Sequence, residues 1–194
     1  MTGLDGSAPT LVPAPPLPHL SAPWSIRPAQ ADGEDLELVH RWMQAPHVAA
    51  FWKQAWPREQ WAEELDRQLT GEHSLPCLAS LDGEPVAYLE IYRVLRDRLA
   101  GHYPHRPHDL GVHVAIGELG RTGRGLGRAL LRATAEGLLA ADPHCTRVVA
   151  EPDVRNAPSV RAFVAAGFRR ITEITLPDKR AALLVYPRSE EDLP

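Results

Sequence analysis

Only two cysteines, Cys77 and Cys145, occur in the 194 residues, and neither belongs to a CxxC pair. Neither a disulfide framework nor a thiolate metal site is therefore expected. Lysine is as scarce, with Lys53 and Lys179 alone, so arginine carries nearly all the positive charge. A formal net charge of -4 argues against nucleic acid as the principal partner. No apolar run approaches membrane-spanning length. The first 26 residues hold no Lys or Arg, so the cationic start of a secretory signal is missing. These absences together lead us to expect a cytoplasmic chain with no membrane or nucleic-acid partner.

What is present suits one domain with tails. Hydrophobic residues make up 44%, enough for a real core. Residues 1–23 hold Pro9, Pro13, Pro15, Pro16, Pro18 and Pro23 and read as a flexible, extended tail. Residues 24–187 read as the folded domain, and 188–194 as a short C-terminal tail. "WSIRPA" reads as a first strand. Leu36, Val39 and Met43 recur at helical spacing, as do Trp61, Leu65 and Leu69. Two strands, "PCLASL" and "PVAYLEIYRV", flank Asp82-Gly83 in a hairpin with a loop longer than two residues. Residues 95–107 read as a polar loop. A strand over 109–116 precedes a helix from about Gly125 to Ala140. "TRVVAEP" is a strand, and "NAPSVRAFVAAG" is a short helix capped by Asn156 and ended by Gly167. Two strands follow. The order β-α-α-β-β-β-α-β-α-β-β implies a mixed α/β domain with a largely antiparallel first half.

The densest signal is "DLGVHVAIGELGRTGRGLGRALL". Gly123, Gly125 and Gly127 alternate with Arg124, Leu126 and Arg128 where a helix begins. Glycine lets backbone approach a ligand closely, and the first N-H groups of a helix lack internal partners. A phosphate or pyrophosphate is the natural guest. Neither nucleotide loop fits: Arg128-Ala129 stands where a P-loop needs Lys-Ser/Thr, and Arg128 replaces the last glycine of a dinucleotide fingerprint. On the preceding strand, alternation sets Val112, Val114 and Ile116 on a core face. Gly111, His113 and Ala115 share the other, where small neighbours leave room beside the imidazole. Spacing alone leaves His113 open between a proton acceptor and a hydrogen-bonded structural histidine.

With these pieces placed, residues 24 to 187 resemble the GNAT N-acyltransferases, which implies their fold: a central, mostly antiparallel sheet flanked by helices. The resemblance rests on "TGRGLGRALL" and on Asn156, Ser159, Phe163, Gly167 and Phe168 of "NAPSVRAFVAAGF". It implies that turn amides bind a coenzyme A pyrophosphate, and that Phe163 stands where many relatives carry the tyrosine that reprotonates the leaving thiolate. "HVAAFWKQAWP", "YLEIYRV", "HDLGVHVAIGE" and "EPDVRNAPSVRAFVAAGF" are further similar to the siderophore hydroxamate acyltransferases. That likeness implies His113 as general base with Asp153 beside it, and acyl-CoA, acetyl or succinyl, as co-substrate. It implies acyl transfer to the hydroxylamine nitrogen of N-hydroxycadaverine. Lysine, N6-hydroxylysine or another small amine remain alternative acceptors, and a non-catalytic acyl-CoA sensor is a further one.

For the cofactor, the candidates are backbone at Val114 and Ile116, the turn from Gly123 to Arg128, and Asn156 with Ser159. For the acceptor they are His47, Trp52, Trp56, Glu90 and Tyr92, the carboxylate serving a distal ammonium. Arg93, Arg96 and Arg98 are the candidates should the acceptor carry a carboxylate. His102, His105 and His108, separated by prolines, are read as a solvated loop, and no metal is called for. A monomer or homodimer is expected.

Overall fold

A computed structural model describes residues 11–118, 120 and 125–194. Among them, seven strands form one sheet in the order β1-β2-β3-β4-β5-β7-β6. The elements run β1 (Trp24–Pro28), α1 (Gly33–Gln44), α2 (Pro46–Trp52), α3 (Arg58–Thr70), β2 (Ser74–Leu81) and β3 (Glu84–Arg93). After β4 (Leu110–Ile116) come α4 (Leu126–Ala141), β5 (Arg147–Ala150), α5 (Ala157–Ala166), β6 (Arg169–Leu176) and β7 (Lys179–Pro187). Every neighbouring pair is antiparallel except β4 and β5.

Alternation on β4 sorts the two faces as expected. Val112, Val114 and Ile116 pack with α4 and α5, alongside Leu130, Leu138 and Phe163. Ala115 belongs to the opposite core, with Leu36, Val39 and Met43 of α1 and Trp61 and Leu65 of α3. Leu69, expected on that face, is 37% exposed; Gln68 is buried instead. The helix phase turns the amide inward because a carboxylate, Glu90, waits there to receive it.

Three local expectations are corrected. The hairpin loop is only Asp82-Gly83, with φ of 49° and 83°. Both residues are left-handed, as a tight primed turn requires. The aromatic stretch after α1 contains its own helix, α2, which begins on Pro46 and ends at left-handed Lys53. Proline is tolerated there because a first-turn N-H has no partner to lose. The loop over 95–107 contains two 3-10 turns, Val94–Arg96 and Arg98–Gly101, and buries Leu99.

The described part of the expected flexible tail is docked. Arg93, 1% exposed, donates to the carbonyls of Pro13 (2.9 Å) and Ala14 (3.4 Å), and Arg96 to Val12 O (2.6 Å). His19 N-H reaches Gly137 O at 3.1 Å. A Cβ on Gly137 would stand 2.6 Å from His19 O, so α4 accepts this strap only through a glycine. A proline-rich segment forms no ladder of its own, yet its carbonyls remain good acceptors for buried guanidinium groups.

Candidate active site

The parallel pairing of β4 with β5 covers only Leu110↔Val148 and Gly111↔Val149. Beyond Gly111 the two strands part. The donor from Gly117 N to Val86 O (3.1 Å) and that from Val94 N to Asp109 O (3.2 Å) fix the phase of the β3-β4 ladder. Odd residues of β4 therefore face β3, and the backbone groups of Val112, Val114 and Ile116 turn toward the open edge. One of these groups is already engaged: His47 Nε2 lies 2.9 Å from Ile116 O.

At the top of this wedge α4 begins. Gly125 adopts φ 82°, and no side chain among the described residues caps the helix. The N-H groups of Leu126, Gly127 and Arg128 are first-turn donors, and 16 helical residues align their dipoles behind them. A Cβ on Gly127 would sit 3.2 Å from Ile116 Cδ1, so glycine keeps this start close to β4. Gly123 and Arg124 lie outside the described residues. Asn156 Oδ1 accepts from Ser159 N at 3.2 Å, so that pair caps α5. The arrangement fits a pyrophosphate at the helix start with an extended chain along the open strand edge.

On the other face, His113 stands between two carboxylates. Nδ1 lies 3.1 Å from Glu90 Oε2, and Nε2 lies 2.6 Å from Glu151 Oε1. Ionised carboxylates only accept hydrogen bonds, so both ring nitrogens must carry protons. The remaining oxygens are also served. Gln68 and Tyr88 donate to Glu90 Oε1 (2.9 and 3.1 Å), and Tyr92 donates to Glu151 Oε2 (2.6 Å). Lys179 Nζ stands 3.6 Å from Glu151. Burial disfavours charge on the imidazole, but the two carboxylates outweigh it and push its pKa up to about 10. Burial likewise acts to raise Glu90 and Glu151, yet the imidazolium holds both below their ordinary values. His113 is the accessible member, 32% exposed against 13% for Glu90 and 2% for Glu151.

These distances revise two expectations. As it stands, His113 has no free nitrogen to accept a proton. Asp153, expected beside it, does not orient it. Both Asp153 oxygens are held by Arg155, at 2.6 Å for the shortest contact, and that guanidinium draws its pKa down to about 2. Glu151, two residues earlier in the same Glu-Pro-Asp run, takes the position. Both acids follow the same strand, and only the pairing of Asp153 with Ala181 shows which way each points.

The room beside His113 is filled by Tyr92, whose ring centre lies 4.8 Å from the imidazole. A Cβ on Gly111 would lie 2.0 Å from that ring, so this glycine seats the tyrosine, not a substrate. Trp52 meets the imidazole edge-on at 5.9 Å. Trp56 packs instead against Trp61 at 5.3 Å. Phe163 is 3% exposed and edge-on to Phe168 at 4.9 Å, a core residue with no proton to give. His105 Nδ1 turns to Ala100 O and His108 Nδ1 to Asp142, so these two histidines do not converge.

Comparison with known proteins agrees with this frame. Residues 32–176 match the family model described as an acetyltransferase (GNAT) domain. The chain is 38% identical over 183 residues to the lysine N-acyltransferase MbtK of Mycobacterium sp. (strain MCS), covering 94% of this chain and 75% of that one. It is 37% identical over 120 residues to the N-hydroxyputrescine acetyltransferase of Acinetobacter baumannii, covering 62% and 57%. Among solved structures, aminoglycoside acetyltransferase AAC(6')-Ib in complex with coenzyme A superposes with a TM-score of 0.75 at 26% identity, covering 85% and 95%. The open strand edge, the uncapped helix start and the family match together place this chain in the GNAT family of acyltransferases.

Proposed function

We propose that this protein transfers an acetyl or succinyl group from acyl-CoA to the hydroxylamine nitrogen of N-hydroxycadaverine, as a step of hydroxamate siderophore assembly. One observation carries the choice of acceptor: the arginines that would receive an amino-acid carboxylate are committed elsewhere. Arg93 pairs with Asp142 at 2.8 Å, Arg96 holds Val12 O, and Arg98 pairs with Asp178 at 2.7 Å. What faces His113 is anionic, with Glu90 and Glu151 in contact and Asp97 within electrostatic reach. An acceptor ending in an ammonium suits such a surface better than one ending in a carboxylate.

Acyl-CoA would lie along the open edge of β4, its pyrophosphate against the N-H groups of Leu126 to Arg128. Val114 N-H would polarise the thioester carbonyl. An alkylhydroxylamine reaches the site neutral, whereas an alkylamine is protonated at neutral pH as lysine is. Trp52 and Tyr92 would flank it beside His113. A lysine-type acceptor is the second reading, supported by the 38% identity to a lysine N-acyltransferase.

The test is thiol release from acetyl-CoA and succinyl-CoA with N-hydroxycadaverine, cadaverine, N6-hydroxylysine and lysine. The proposal expects rapid release with N-hydroxycadaverine and little with cadaverine. Preference for either lysine compound would move the assignment to that branch, and no release with any of the four would refute it.

A further inference from the structure

We infer that Glu151 is the positioning residue of this transfer: it holds the Nε2 proton of His113 and leaves Nδ1 as the nitrogen that gives up and regains a proton. The inference rests on the acyl-transfer reading above and assigns a role to a residue outside the usual candidates.

The two hydrogen bonds of His113 are unequal. The bond to Glu151 is 2.6 Å and the bond to Glu90 is 3.1 Å. Glu151 is anchored from behind by Tyr92 and faced by Lys179, so it cannot follow a ring that moves. Glu90 is held independently by Gln68 and Tyr88, so it keeps its place if the longer bond opens. Nδ1 is therefore the nitrogen that can be exchanged without dismantling the network. The charged and titratable groups around the ring are Tyr88, Glu90 and Tyr92 from β3, Glu151 beyond β5 and Lys179 from β7. Asp97 of the loop lies within electrostatic reach, and Glu64 of α3 stands behind Gln68.

The neutral acceptor nitrogen forms the C-N bond with its lone pair, and the carbonyl electrons move to oxygen. As that oxygen collapses, the C-S bond breaks and its pair leaves on sulfur. His113 Nδ1-H protonates the sulfur. The proton on the acylated nitrogen then passes to Nδ1, which restores the imidazolium. Glu151 fixes the Nε2-H tautomer throughout, so the same nitrogen donates and accepts.

Two measurements on the full chain test this. First, 15N shifts of His113 without substrate should report both nitrogens protonated at pH 8; a neutral ring there would overturn the inference. Second, the pH profile of thiol release should fall at the alkaline end near 10 for the wild type, and at least one pH unit lower for Glu151→Gln. At pH 9.5 that shift lowers turnover about threefold, with KM for acyl-CoA within about twofold. A purely structural role would reduce activity alike at every pH and leave the alkaline fall unmoved, which would also overturn the inference. Should Glu151→Gln fail to fold, Glu90→Gln removes the other carboxylate and must move the fall in the same direction. Absence of thiol release from the wild type would refute the acyl-transfer reading itself, even with an imidazolium present at 113.

Discussion

Replacing Gly111 with alanine tests whether a missing side chain seats the Tyr92 ring. A Cβ at 111 would lie 2.0 Å from Cζ, 2.2 Å from Cε2 and 2.5 Å from the hydroxyl oxygen. All three atoms belong to one rigid group, which must move as a unit. Overpacking of this kind costs about 1–3 kcal/mol. Displacing the ring also breaks its 2.6 Å bond to Glu151, and a hydrogen bond to a charged group is worth about 1.5–3 kcal/mol. The expected loss is about 2.5–6 kcal/mol, a large part of the roughly 5–15 kcal/mol that holds a domain together. Urea unfolding reads it as a lower midpoint at constant slope. The control is the same substitution in a Tyr92→Ala background. With the ring gone, alanine should cost nothing or stabilise by a few tenths of a kcal/mol, since glycine is a poor strand residue. A loss below about 1 kcal/mol in the wild type, or an equal loss in both backgrounds, would refute the reasoning.

Three further outcomes are expected. Arg93→Met leaves Asp142 buried without its 2.8 Å partner and should cost about 3–5 kcal/mol; limited proteolysis should also begin cutting within residues 12–19. Gly137→Val should expose the same segment to protease but leave thiol release within about twofold, because α4 packs on the face of β4 opposite His113. The third concerns pH. The imidazole of His113 rises on folding from 6.5 to about 10, so its stabilising contribution is full below 6.5 and is lost as pH climbs through about 10. The stability gap between wild type and His113→Gln, measured by urea titration, should therefore shrink from pH 6 to pH 10.5. A gap that stays constant or widens would contradict the sign.

The sequence was most informative where local chemistry decides structure. Asn156, Pro158 and Gly167 delimit α5 because each acts within its own turn. The alternation of Val112 to Ile116 predicts both faces of β4, since period-2 geometry needs no knowledge of the partner strands. Asp82-Gly83 marks the hairpin, but its loop length is not legible because strand ends are set by pairing. α2 is hard to read because a proline that opens a helix looks like one that prevents it. Glu151 was harder to see than Asp153. Which acid of a Glu-Pro-Asp run meets a histidine depends on a strand 38 residues away and on where the Tyr92 hydroxyl ends. Glycine spacing shows the room beside His113 but not its filler, the Tyr92 ring. The strap escaped because its partners, Arg93 and Arg96, lie about 80 residues downstream.

That separation has a kinetic consequence. Joining Pro13 to Arg93 closes a loop of 80 residues, which costs about 4 kcal/mol of chain entropy if the loop is still disordered. The cost falls once the sheet and α4 have already drawn the ends together. The strap is therefore expected to settle after the elements it crosses, although it is synthesised before them. Contacts that form after the folding barrier slow unfolding and leave the folding rate untouched. The segment that reads as the least structured part of the chain is thus expected to act as a latch, setting how long the folded enzyme lasts and not how quickly it forms.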